Sequence, residues 1–284
     1  MGSIPIFWLF SFGKKGRREG EFLGPFGIFW YERILYVVDD LGHHISLFDE
    51  RGSFLKRIGA FGKKPGCFSY PDSLVIKNGL LYVADTGNNR IQILSPNGRC
   101  LKVISRWGLW GRFKNPRDVS FDSRGRLWVV DWGHHCLRVF TQEGRHLFDV
   151  GKKGREPGKF FNPIALAIGP DKVYVSDFKN HRIQVFNLTG KFLYTFGSFG
   201  EDLGQLKYPS GLAISKEFLW VAEWGNHRVQ VFSLEGTPLF YFGAPGKDKG
   251  YFLKPTDLVI DPWGRIYVVD SGNHRVQVFQ RKNR

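Results

Sequence analysis

One motif recurs six times along this chain, and that repetition limits the fold more than any other feature. Residues 267–279 read Tyr-Val-Val-Asp-Ser-Gly-Asn-His-Arg-Val-Gln-Val-Phe, and variants stand at 220–232, 174–186, 128–140, 82–94 and 36–48. The acidic residues Asp39, Asp85, Asp131, Asp177, Glu223 and Asp270 fall 46, 46, 46, 46 and 47 residues apart. A fixed period of this size is the signature of a repeat architecture, in which no unit buries its apolar face alone and each stacks on its neighbours.

Within a repeat the order of elements is legible. Pro25, Pro71, Pro116, Pro163, Pro209 and Pro255 recur 45 to 47 residues apart, each before a short apolar run. Proline donates no ladder bond and suits the first position of a strand, so each run is a first strand, a. Turn residues such as Lys77-Asn78-Gly79 lead to strand b, the polar Gly-Asn-His-Arg pivot leads to strand c, and a turn ending in Gly52, Gly98, Gly144, Gly190 or Gly236 opens strand d. Strand c alternates apolar and polar residues, the period of a half-buried strand.

Six such units predict an all-β fold: a six-bladed β-propeller of four-stranded antiparallel blades. The blades run approximately 14–58, 59–104, 105–150, 151–196, 197–242, and 243–279 plus 4–13, as one domain over 1–284. The sixth repeat lacks a strand d of its own. The stretch from Pro5 to Gly13 matches the strand d pattern, so the N-terminal strand is expected to complete the last blade and close the ring.

With 42% hydrophobic and 16% aromatic residues the chain has material for a core, yet every apolar run is too short to span a bilayer. Residues 1–13 lack the basic start and small-residue cleavage site of a signal peptide. Cys67, Cys100 and Cys136 form an odd set without metal-ligand spacing, which fits free thiols in a reducing compartment. A cytoplasmic monomer without membrane insertion or cofactor is the expectation.

The repeats 82–94, 226–232 and 273–279, with Asn-Asn-Arg-Ile-Gln and Asn-His-Arg-Val-Gln at their centres, resemble NHL repeats, and the resemblance runs over nearly the whole chain. It implies the propeller fold. For function it implies several classes: single-stranded RNA binding as in some tripartite-motif proteins, protein-interaction platforms, bacterial sensor domains, and a related amidating lyase with metal-bound histidines. Fold does not choose among them. The first repeat, with Leu41-Gly42-His43-His44, and the third, with Cys136 for arginine, depart from the pattern and should lose or alter the Asp/Arg pairing there.

Six equivalent Asp-Asn-Arg sets point to structure before catalysis. His43, His135, His181, His227 and His274 occupy one equivalent position per blade, spread around a ring, whereas a zinc ion needs about three ligands within roughly 2.1 Å of one point. The His43-His44 and His134-His135 pairs are the least improbable parts of such a site. Asp72, Asp118 and Asp257, just beyond the strand a prolines, could face the channel as a carboxylate or calcium cluster, as in lactonase-type propellers, but are expected to cap turns or hold water there, since the matching positions of the other blades are apolar or Gly/Ser. No Gly-x-Ser-x-Gly, Walker loop or Cys/His nucleophile pattern is present.

The charge layout is more informative. The chain carries a net +15. A four-strand meander puts the d-to-a connections and b-to-c turns on one face. The connections 11–24, 59–70, 105–115, 151–162, 197–208 and 243–254 carry +2, +2, +3, +3, −1 and +2, which is +11 of the total. The a-to-b and c-to-d turns of the other face sum to about −1 and −3. On the basic face the residue after the strand b acid is Trp132, Phe178 or Trp224 in three successive blades, with Tyr70, Trp107 and Trp110 in or beside the connections.

Cations interleaved with aromatics suit single-stranded nucleic acid, phosphates on Lys and Arg and bases stacked on rings. The phosphate candidates are Lys14, Lys15, Arg17, Arg18, Lys63, Lys64, Arg112, Lys114, Arg117, Lys152, Lys153 and Arg155, and the stacking candidates are Trp132, Phe178 and Trp224. Glu201 and Asp202 interrupt the ring at the fifth connection, so a strand would track blades one to four. The alternatives are an acidic protein partner on the same face, a metal-dependent lyase or lactonase-like enzyme at the channel mouth, and aromatics that only plug gaps between blades.

Overall fold

A proline opens the inner strand of every blade. In the computed structural model, which describes residues 5–109 and 111–281, these strands are Pro25–Tyr31, Pro71–Lys77, Pro116–Phe121, Pro163–Ile168, Pro209–Ser215 and Pro255–Ile260. Each pairs with the next strand to begin a four-stranded antiparallel sheet whose order follows the sequence. The first is Pro25–Tyr31, Ile34–Asp39, His44–Asp49 and Phe54–Ile58. Six such sheets make the propeller, and packing between adjacent blades makes its core: Val38, Ile45 and Leu47 of the first blade, for example, cluster with Leu74, Leu81 and Val83 of the second.

The ring closes as the sequence indicates. Ile6–Phe12 pairs antiparallel with Arg275–Arg281, with Trp8 opposite Phe279 and Phe12 opposite Val276. Ile6 and Trp8 pack into the cluster between the fifth and sixth blades, while Phe10 and Phe12 pack into the one between the sixth and first. One strand therefore serves as the outer edge of the last blade and joins both ends of the chain. Residues 1–4, Trp110 and residues 282–284 lie outside the described residues.

Every inner strand starts with a bulge just after its proline, as between Pro25 and Gly27 or Pro209 and Leu212. At these starts neighbouring inner strands approach closely. A Cβ on Gly27 would lie 2.3 Å from the Asp72 carbonyl oxygen, and one on Gly211 would lie 2.3 Å from an Asp257 carboxylate oxygen. At this level the channel narrows to about 20 Å³, room for about one water. Below it, toward the a-to-b turns, the bore widens into a cavity of about 270 Å³ lined by the inner strands.

The third connection departs from the other five. It folds into a two-stranded ribbon, Arg106–Trp107 against Gly111–Arg112, which the repeat pattern does not foretell. The others make a compact loop closed by a single parallel bridge, such as Phe61 with Phe68 or Phe199 with Leu206. Among the described residues no helix is long and apolar enough to cross a membrane.

Candidate nucleic-acid interface

In four of the six blades the pivot clamps the connection that precedes it. In the second blade Asp85 is fully buried and its carboxylate accepts from Arg90 Nε (2.6 Å), Asn88 Nδ2 (2.9 Å), Gln92 Nε2 (2.9 Å) and the Ser69 amide (2.8 Å). The same side chains reach on to the connection. Arg90 donates to the carbonyls of Lys63, Lys64 and Cys67, Asn88 to that of Gly62, and Gln92 accepts from the Gly66 amide. The fourth, fifth and sixth blades repeat the arrangement around Asp177, Glu223 and Asp270. A loop with no secondary structure of its own is thus fixed by side chains that satisfy its backbone, and its lysines are held outward.

The two divergent repeats solve this differently. In the third blade Cys136 stands where arginine is expected, but Arg138, two residues on, donates to the same carboxylate, Asp131, at 2.7 Å. The ion pair is kept and its cation comes from the glutamine position. In the first blade Gly42, His44 and Ser46 replace Asn, Arg and Gln, and Asp39 accepts only backbone amides, those of Leu23, Gly24 and Gly42. There the clamp comes from strand d: Arg57 donates to the carbonyls of Arg17 and Arg18.

Four of the pivot histidines are inter-blade acceptors. His43, His135, His181, His227 and His274, like Asn89 in the second blade, have φ near +55°, the left-handed region that asparagine and histidine tolerate. The amide of Tyr70 donates to His43 Nδ1 (3.0 Å), Asn162 to His135 (3.0 Å), Tyr208 to His181 (3.1 Å) and Lys254 to His227 (2.9 Å). In the second blade the Asn115 amide donates to Asn89 Oδ1 instead (2.7 Å). Each ring belongs to a different blade junction, and among the described residues no group of three or more His, Cys, Asp or Glu is placed to hold a metal ion.

These bonds require neutral imidazoles with the proton on Nε2. Burial holds the pKa of His43, His135, His181 and His227 below the ordinary 6.5, and lysines add to the depression around the last three. The folded chain therefore binds fewer protons than the unfolded one just below pH 6.5, so this contribution to stability is present above that pH and lost as pH falls through the folded values. Replacing all four by asparagine, the residue that makes the same bond in the second blade, is expected to flatten the fall in melting temperature between pH 7.5 and 5.5. At pH 7.5 the variant should melt within about 3 °C of the parent. An unchanged acid slope would mean that these rings do not control it.

The channel carboxyls are placed by backbone amides. Asp118 accepts from Ser73 Oγ (2.5 Å), Val119 N (2.8 Å) and, across the blade junction, Leu166 N (2.8 Å). Asp257 accepts likewise from Leu258 N and from Ile28 N of the first blade, both at 2.9 Å. Burial pushes Asp118 and Asp72 up to about 6, and burial with the Asp118 charge pushes Asp257 well above the carboxylate range. Asp118 and Asp257 thus serve as caps that join neighbouring inner strands.

The basic face has the predicted charges with one exception. Lys14, Lys15, Arg17, Arg18, Lys63, Lys64, Arg112, Lys114, Lys152, Lys153 and Arg155 are exposed on the connections. Arg117 is half-buried at the channel mouth, where it pairs with Asp72 at 3.2 Å and lies 5.1 Å from the Trp132 ring centre and 5.6 Å from that of Phe26. Trp132, Phe178 and Trp224 are half-buried. Phe178 and Trp224 share an aromatic cluster with Tyr208, and Lys254 Nζ lies 4.6 Å from the Trp224 ring centre.

The most open aromatics are others. Phe61 is 70% exposed and Phe199 63%, and Tyr70 is 48% exposed. Phe61 and Tyr70 flank His43 with ring centroids at 4.7 and 4.6 Å, and Phe199 and Tyr208 flank His181 at 4.9 and 4.6 Å. Phe61 and Phe199 hold the bridge position of their loops, where the first and fourth connections carry Lys15 and Lys153. That alternation of lysine with phenylalanine at one loop position was the available sequence signal.

Comparison with known proteins agrees with this architecture. The family profile described as NHL repeat matches residues 68–94, 206–232 and 252–279, and one described as 6-bladed beta-propeller matches 112–197. No curated protein matches the chain. Among solved structures, a streptogramin B lyase is similar at 15% identity over 98% of both chains, with a TM-score of 0.68. A gluconolactonase from Xanthomonas campestris is similar at 15% identity over 98% of both, with a TM-score of 0.71. An auxiliary nutrient binding protein from Bacteroides ovatus is similar at 13% identity over 99% of this chain and 78% of its own, with a TM-score of 0.74. At these identities the likeness is one of fold.

Proposed function

Since the chain is a six-bladed β-propeller built of NHL repeats, with functions in such folds set by surface and not by architecture, we propose that it is a non-enzymatic binding protein whose connection face holds single-stranded RNA. The observation that carries this reading is the asymmetry of the two faces. The connections have a summed charge of +11, and buried clamps pin those of the second and fourth blades so that Lys63, Lys64, Lys152 and Lys153 project outward, with open aromatic rings among them. A purely electrostatic partner would use the charges and leave the rings idle; a single strand uses both.

Arg117 belongs to the framework of this face through Asp72, so the phosphate set is the exposed lysines and arginines of blades one to four. Phe61 and Tyr70 are better platforms than Trp132, Phe178 and Trp224, whose faces are partly covered. Charge reversal tests the reading. Lys63→Glu, Lys64→Glu, Lys152→Glu and Lys153→Glu together are expected to weaken binding of a ten-nucleotide RNA by at least about a hundredfold, because each lost phosphate contact removes its share of counterion release. Melting temperature should hold, since all four side chains are exposed. Undiminished affinity in the quadruple variant would refute the placement.

A further inference from the structure

The two repeats that break the pivot pattern are also the two beside which the basic face is hollowed. Where Gly42, His44 and Ser46 replace larger side chains, a cavity of about 460 Å³ opens between the first and second blades, lined by Arg17, His43, His44, Arg57, Phe61 and Tyr70 among others. Beside the third blade, where the connection is a ribbon, a cavity of about 580 Å³ is lined by Asn88, Asn89, Arg106, Arg112, Lys114 and His134. The second blade's connection, with Lys63 and Lys64, lies between them.

The two hollows differ in chemistry. The first is aromatic, with two open rings and two guanidinium groups. At its back stands His44, 6% exposed, whose Nδ1 is 2.7 Å from the Gly42 carbonyl and therefore carries the proton, while Nε2 has no hydrogen-bond partner. The second is cationic, and the one ring named among its lining, His134, is tied to Asp131 at 2.9 Å.

We propose that the cavity between the first and second blades seats one unstacked nucleobase against Phe61 and Tyr70, and that the cavity beside the third blade receives a phosphodiester further along the same strand on Arg106, Arg112 and Lys114. This rests on the RNA reading above and makes it specific. Size is compatible: at about 30 Å³ per water the first cavity has room for about fifteen waters, more than the roughly ten heavy atoms of a purine. Arginine beside an aromatic platform is also the usual means of holding a splayed base. The sites arise from departures peculiar to these two repeats, so a strand has one register on a face that is otherwise nearly sixfold.

The test uses three labelled decamers, oligo(U), oligo(A) and an abasic ribose-phosphate chain, titrated into the intact protein by fluorescence anisotropy. The wild type is expected to prefer the base-bearing strands by about tenfold or more. Phe61→Ala/Tyr70→Ala should abolish that preference and leave abasic affinity within about twofold. Both side chains are exposed, so the fold is not at stake. Arg106→Glu/Arg112→Glu should weaken all three decamers alike, by about tenfold. Retention of full base preference in Phe61→Ala/Tyr70→Ala overturns the base pocket, as does a wild type that binds all three decamers equally with steep salt dependence; either result leaves the basic face intact. Absence of binding to every decamer overturns both the pocket and the RNA reading.

Discussion

Deletion of residues 1–12 is expected to leave a chain that no longer melts cooperatively above about 37 °C. The strand Ile6–Phe12 turns Ile6, Trp8, Phe10 and Phe12 inward, and these four join two different inter-blade clusters. At about 1.5 to 3 kcal/mol for a fully buried large apolar side chain and about half that for the half-buried Ile6, Trp8 and Phe10, their removal costs roughly 4 to 8 kcal/mol, against a total stability of about 5 to 15 kcal/mol for a folded domain. The loss also exposes the free edge of Arg275–Arg281, and an unpaired edge invites association with other chains. A peptide spanning residues 5–13 added in trans should restore the transition in part. A truncated chain with parental melting would show that the ring does not depend on this closure.

The second large effect lies in the clamp. Asp85→Ala is expected to cost about 3 to 5 kcal/mol, the range for leaving one member of a buried ion pair alone. Arg90 would be stranded beside Asn88 and Gln92, and the Ser69 amide would lose its acceptor. At about 2 to 4 °C for each kcal/mol in a chain of this class, melting should fall by about 6 °C or more. The damage should also reach the surface, because Arg90 and Gln92 hold the carbonyls of Lys63, Lys64 and Cys67. Amide exchange at Gly66 and Ser69 should accelerate before global unfolding. A cost below about 1 kcal/mol with unchanged exchange would mean that the loop is fixed by other means.

The architecture was legible because it is written in periodicity. The 46-residue spacing of the strand b acids, the prolines before strand a and the unmatched N-terminal strand specify six blades and their closure, and the structure has them. The connections were legible in charge but not in detail, since their shape is imposed by side chains about 26 residues further along the chain, such as Arg90 on Lys64. For the same reason the exposure of Phe61 and Phe199 could not be read from local sequence, where an apolar residue ahead of glycine looks like core. Arg117 sits among lysines and arginines in sequence, yet the ring brings Asp72 of the neighbouring blade against it. The third repeat looked as if its ion pair might be lost, but strand c places Arg138 on the same side as Cys136, so the guanidinium reaches Asp131 from there.

The most direct test of the RNA reading is the affinity of the wild-type protein for a single-stranded decanucleotide measured from 50 to 200 mM salt. A strand held by about six cations of blades one to four should give a slope of log K against log salt of about −4, at about 0.7 per phosphate contact. Absent binding, or an affinity that does not change with salt, would contradict it.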